Sequence, residues 1–167
     1  MKEHERKRMK EHERKIEMSE IAIGTAASEE VVLSVLTHLE NGKIDHAIAL
    51  FAEEFRFKDH GIGLEFKDKE CLAEFFRKNR ELYPDAELQT TGTIFLSRDR
   101  MVAEWTLRAT LTEPFYGGLS RKVPISLHGV SIVRTENGKI TDWVDYYDGM
   151  TSRRTALAAH FEEWVEL

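Results

Sequence analysis

At Tyr83-Pro84 the hydrophobic period of this chain switches from helical to strand-like, and that switch limits the fold more than any other feature. Before it, Val31, Val32, Val35, Leu36 and Leu39 recur at helical spacing, from a candidate N-cap at Ser28 to a stop at Asn41-Gly42. Ile44, Ala47, Ile48 and Phe51 make a second helical face, and Leu72, Phe75, Phe76 and Leu82 a third, over about 68–82. Between them Phe55 and Phe57 alternate with Arg56 and Lys58, the pattern of a half-buried strand. Pro84 disfavours a helical Tyr83 and so ends the third helix.

Beyond that point strands are expected over about 86–97, through Trp105, Leu107, Ala109 and Leu111, over about 122–134 and over 139–148. Asn137-Gly138 is a type I′ hairpin signal joining the last two. A loop carries Pro114, Phe115, Tyr116, Gly117 and Gly118, and an amphipathic segment with Leu157, Phe161, Trp164 and Val165 closes the chain. Helices followed by a meander predict an α+β fold, in which a curved antiparallel sheet wraps the N-terminal helices. Such a twisted sheet curls, and its concave side encloses an apolar pocket. The other face carries Val130, Ile132, Val144 and Tyr146, so a homodimer through this outer sheet face is expected.

The first 17 residues stand apart. MKEHERK occurs at 1–7 and again at 9–15, with almost no apolar side chain to bury. This predicts a charged tail, disordered or a frayed helix, ahead of a single domain over 18–167, with Met18 as an alternative start. The net charge of −6 argues against nucleic acid as the main partner. No apolar run approaches the roughly 18 residues of a membrane span. The lone cysteine, Cys71, forms no internal disulfide, is read as an inert packing residue on a helix, and fits a cytoplasmic location.

Three kinds of chemistry lack their residues. GIG at 61–63 and YGG at 116–118 are not phosphate loops, no G-x-S-x-G elbow is present, and no histidine pair has zinc-helix spacing. No metal and no cofactor is therefore expected. What remains is WVDYYD at 143–148, where alternation puts Trp143, Asp145 and Tyr147 on one face. A carboxylate between two aromatics is costly to desolvate, and desolvation raises its pKa toward neutrality, as a general base needs. An Asp145 turned to solvent is the alternative. Asp59 shares the parity of Phe55 and Phe57 and can reach the same space, or it can simply form the turn before His60-Gly61. His60 is a further candidate beside them, and His128 has outer-face parity.

LHGVSIVRTENGKITDWVDYYD at 127–148 resembles the closing hairpin of limonene epoxide hydrolase and of SnoaL-like polyketide cyclases, and FAEEFRFKD at 51–59 lies in the same register. Both families share the cone-shaped nuclear transport factor 2-like, or ketosteroid isomerase-like, fold, and the resemblance spans nearly all of 28–150. It implies that Asp145 occupies the water-activating position, Asp59 that of a water-binding asparagine, and Phe57 that of a tyrosine. Trp105 and Leu107 stand where the hydrolase has the arginine and aspartate that bridge and protonate the epoxide. It also makes Leu36, Leu39, Leu127 and Trp143 pocket walls. The expected function is cofactor-free general acid/base catalysis, of isomerase, cyclase or hydrolase type, on a small apolar polyketide-like or terpenoid-like molecule. A non-catalytic small-molecule binder and a dimeric protein-interaction scaffold are the alternatives.

Overall fold

The computed structural model describes residues 9–11, 14–15, 28–97, 99–111 and 122–151. The loop at 114–118 and the amphipathic segment at 157–165 lie outside the described residues. Within the tail, 9–11 and 14–15 are helical, and Met9 is exposed. Helix α1 covers 28–40 and turns Val32, Val35 and Leu36 into the core. Its end is closed by Gly42 at φ 67°, with Lys43 N–H donating to His38 O at 2.8 Å. Helix α2 (Ile44–Ile48) buries Ile44, Ala47 and Ile48.

Strand β1 (Phe51–Asp59) starts earlier than its alternation suggests. Phe51 continues the spacing of Ile44, Ala47 and Ile48, yet it lies in β1, because the helix ends at Ile48. Strand β2 (Leu64–Phe66) is too short to show a sequence pattern. Helix α3 (Lys69–Leu82) begins at Asp68, whose carboxylate accepts from Cys71 N–H at 2.9 Å. Cys71 is exposed rather than packed, since its place in the first turn points away from the buried face of Leu72 and Ala73.

The meander follows as β3 (Glu87–Ser97), β4 (Arg100–Leu111), β5 (Val123–Glu136) and β6 (Lys139–Tyr147). At the β5–β6 hairpin Asn137 and Gly138 both take positive φ, 51° and 72°, as the type I′ signal requires. The six strands form one curved, unclosed sheet in the order β2-β1-β6-β5-β4-β3. All pairings are antiparallel except β1 with β6, where Asp59 pairs in parallel with Asp145. Register shifts in β1, in β3 and at Arg134/Thr135 bend the sheet around the helices.

Val32, Val35, Phe51, Leu72, Met101, Val133 and Ile140 are at most 1% exposed and form the centre of the core. Phe57 sits against Phe76 edge to face at 5.5 Å and is stacked with Trp143 at 6.3 Å, tying α3 to β1 and β6. On the outer face Val102, Ile132 and Val144 line up across β4, β5 and β6, with Tyr146 beside them and 44% exposed. No helix among the described residues is long and apolar enough to cross a membrane.

Candidate active site

The concave side of the sheet, closed by α1 and α3, holds a cavity of about 220 Å³. For scale, an engineered apolar cavity of about 150 Å³ takes up benzene, so this one has room for a ring with substituents. Its walls are mostly hydrocarbon. Leu36, Leu39, Phe57, Trp105, Leu107, Leu127, Trp143 and Tyr147 line it, and Asp59 and Asp145 line it with them. These ten residues were the ones that parity or resemblance pointed to. Parity works because the inner positions of β1, β4, β5 and β6 all face the same concave side.

His60 does not join them. Asp59 faces inward, so the next residue emerges on the opposite side, where the His60 ring stacks on Tyr146 at 4.4 Å and 11°. His128 also lies on the outer side, within hydrogen-bond reach of Thr106 Oγ1 at 3.0 Å through Nδ1.

Asp145 is the centre of a directed hydrogen-bond chain. Ser131 Oγ–H donates to Asp145 Oδ1 at 2.5 Å, and Trp143 Nε1–H donates to the same oxygen at 2.6 Å. Trp105 Nε1–H donates to Ser131 Oγ at 2.9 Å, which fixes the hydroxyl proton toward the carboxylate. The Trp105 indole reaches Ser131 by lying over Gly129. A Cβ on that glycine would come within 2.4 Å of the ring and 2.9 Å of the Tyr146 carbonyl oxygen. Oδ2 of Asp145 receives no hydrogen bond from the described residues. As a whole the residue is half-buried, with its remaining surface in the cavity. Burial of the carboxyl pushes its pKa up to about 7, the two donors working against this and the nearby Asp59 charge adding to it.

Asp59 is held differently. Its Oδ1 accepts from Ile62 N–H at 3.1 Å and its Oδ2 from Tyr147 O–H at 3.0 Å, so both oxygens are engaged. Burial raises its pKa above the usual carboxylate range, and those donors pull it back. The Tyr147 phenol is pushed up in turn by its burial and then by Asp59. The turn is clamped to β6. His60 N–H donates to the Asp145 carbonyl at 2.9 Å, and a Cβ on Gly61 would strike the Tyr147 ring at 2.2 Å.

Sequence reading missed Ser131, which as a small polar residue in a strand carries no signal of its own. Its parity with Val133 and Gly129 was the clue available. It also missed Asn79 and Arg80, which follow Phe76 along the cavity side of α3, Tyr83 at its C-cap, and Glu40 at the end of α1. Among the described residues no group of three His, Cys, Asp or Glu side chains is placed to hold a metal ion.

Comparison with known proteins places this geometry. The chain overlays a ketosteroid isomerase-like protein from Catenulispora acidiphila, determined with trimethylamine, at TM-score 0.66 and 16% identity, covering 76% of this chain and 92% of that one. It overlays an LEH-like epoxide hydrolase of M. tuberculosis at 0.64 and 16%, covering 86% and 98%. A phenazine biosynthesis-related protein of Pseudomonas aeruginosa gives 0.68 and 14%, covering 83% and 90%. At these identities the likeness is one of fold. No curated protein sequence matches the chain. The sequence profile of SnoaL-like polyketide cyclases matches residues 29–155, and the chain belongs to that family.

Proposed function

We propose that this protein is a cofactor-free general acid/base catalyst acting on a small, largely apolar molecule of polyketide-like or terpenoid-like character, with Asp145 as the base. The observation that carries this reading is the unequal state of the two carboxyls at the cavity wall. Asp59 spends both oxygens on protein donors, whereas Asp145, which lines the cavity, keeps Oδ2 uncommitted at a pKa of about 7. A base whose pKa lies near the working pH combines a useful ionised fraction with proton affinity. Asp145 takes a proton from carbon or from water through Oδ2. Negative charge on the neighbouring Asp59 adds to that affinity. The hydrocarbon walls supply binding.

The test is turnover of a panel of small cyclic ketones, enones and epoxides by the wild type and by Asp145→Asn. Asparagine keeps an oxygen for Ser131 and Trp143 and removes only the base. Activity that drops at least a hundredfold in the folded variant supports the reading, and unchanged activity refutes it.

One observation favours a second reading, a binder without turnover. Trp105 and Trp143 N–H, Ser131 O–H and Tyr147 O–H all donate to protein groups, which leaves no uncommitted donor among them for a developing oxyanion. A co-purified ligand recovered unchanged after long incubation would support it. We also propose that the stripe of Val102, Ile132, Val144 and Tyr146 pairs with a second copy of the chain. A dimer by ultracentrifugation that Tyr146→Asp converts to monomer would bear this out, and a monomeric wild type would end it.

A further inference from the structure

The cavity has a second polar pole. Along α3 and onto its C-cap, Phe76, Asn79 and Tyr83 succeed one another on the cavity side, and Arg80 lines the cavity beside them. Arg80 is the single cation among the described lining residues, whose other charged members are Asp59, Asp145 and the exposed Glu40. Its neighbour Arg77 is paired with Asp45, Glu70 and Glu74 on the outer side of the helix. Arg80, half-buried, makes one long hydrogen bond, Nη1–H to the Ala86 carbonyl at 3.4 Å, and no described carboxylate lies within 4.0 Å of it. A guanidinium has five N–H donors in a planar fork, so most of its capacity is unspent. The side-chain amide of Asn79 likewise bonds to none of the described residues.

We infer that the cavity takes an amphiphilic carboxylic acid, its carboxylate on Arg80 and Asn79 and its apolar body reaching toward Asp145. This rests on the reading of the cavity as a small-molecule site. Charge sorts the orientation. Asp59 and Asp145 repel an anionic head from the strand side, while Arg80 draws it to the helix side and meets a carboxylate with two parallel bonds. Glu40 opposes this weakly, because it is exposed and water and salt screen it, whereas Arg80 is half-buried in a wall of hydrocarbon. The same polarity keeps the acid's charge away from the base and delivers an uncharged carbon or bound water to Oδ2.

The experiment is calorimetric titration at pH 8 with two probes of the same shape, trans-cinnamate and the neutral trans-cinnamamide. The wild type is expected to bind cinnamate more tightly. Arg80→Gln, which retains a donor for the Ala86 carbonyl, should weaken cinnamate about ten- to a hundredfold and leave cinnamamide within about twofold. Arg80→Lys, with a charge but no fork, should fall between. Retained cinnamamide binding certifies an intact cavity in each variant. Equal affinities in the wild type, a cinnamate preference that survives Arg80→Gln, or no binding of either probe would overturn the inference. Failure of the catalytic reading is separable. Asp145→Asn should keep the cinnamate preference even if no substrate is ever turned over, and turnover of neutral substrates without acid preference would sink this inference alone.

Discussion

Ser131 and Asp145 are register partners across β5 and β6, and the Ser131 hydroxyl donates a hydrogen bond to Asp145 while accepting one from the Trp105 indole N–H. The serine is thus a positioning residue. It fixes which oxygen of Asp145 is spent on the protein and which is left to the cavity.

Ser131→Ala therefore has two separable consequences. Loss of the donor leaves the ionised form of Asp145 less supported, so its pKa moves higher and the acidic limb of kcat/KM follows. Activity should fall more at pH 6.5 than at pH 8.5. Trp105 Nε1–H also loses its acceptor, which costs about 1–3 kcal/mol for an orphaned buried donor. A variant equally impaired at all pH values would show that the serine acts only through folding.

Asp59→Asn tests the coupling of the two carboxyls. The Asp59 charge raises the Asp145 pKa, so its removal should move the Asp145 ionisation to lower pH. The Asn amide oxygen can still accept from Ile62 N–H or Tyr147 O–H. Carbon-detected NMR of the Asp145 carboxyl reads the shift directly, and an unmoved titration would show that the two groups are electrostatically independent.

Gly61→Ala and Gly129→Ala probe the two close approaches that shape the site. At Gly61 the added methyl must displace the Tyr147 ring and with it a hydrogen bond to Asp59. At Gly129 it meets both the Trp105 ring and the Tyr146 carbonyl, so the second contact is with backbone and yields less. Overpacking of this kind costs about 1–3 kcal/mol, with Gly129→Ala expected to be the worse of the two in denaturant unfolding. A smaller loss at Gly129 would show that β5 shifts to make room.

How far the sequence disclosed this site follows from which features are local. Alternation within WVDYYD and FRFKD carried Asp145, Tyr147, Phe57 and Asp59 to the concave face, because side-chain parity is set by the strand itself. The parallel pairing of β1 with β6 was not legible, since it joins segments more than 80 residues apart, with α3 and four strands between them in the chain. That pairing is what puts Asp59 beside Asp145. His60 was misjudged by proximity in sequence, where one step along a strand reverses the face. Phe51 was assigned to a helix because its spacing extends the face of α2, while its ring packs against Phe55 at 5.2 Å from within β1. No sequence pattern separates Arg80 from Arg77, and only the cavity distinguishes the two.

Asp145→Asn also carries a stability prediction that is independent of any substrate. The folded-state pKa of Asp145 is raised from 3.8 to about 7. Between those values the native state therefore holds a proton that the unfolded chain has released. Stability falls with rising pH across that window and stays low above it. At about 1.4 kcal/mol per pH unit the ceiling is about 4 kcal/mol, part of which is relieved by water entering the cavity. Asparagine is neutral throughout and keeps an acceptor for both Ser131 and Trp143. The variant should be the more stable protein at pH 8, by about 2–4 kcal/mol, with the gap closing as pH falls toward 4. Urea unfolding of both proteins across that range measures the difference. A gap that does not depend on pH would mean that Asp145 ionises at an ordinary carboxylate pKa, and would remove the support for its role as a base near neutrality.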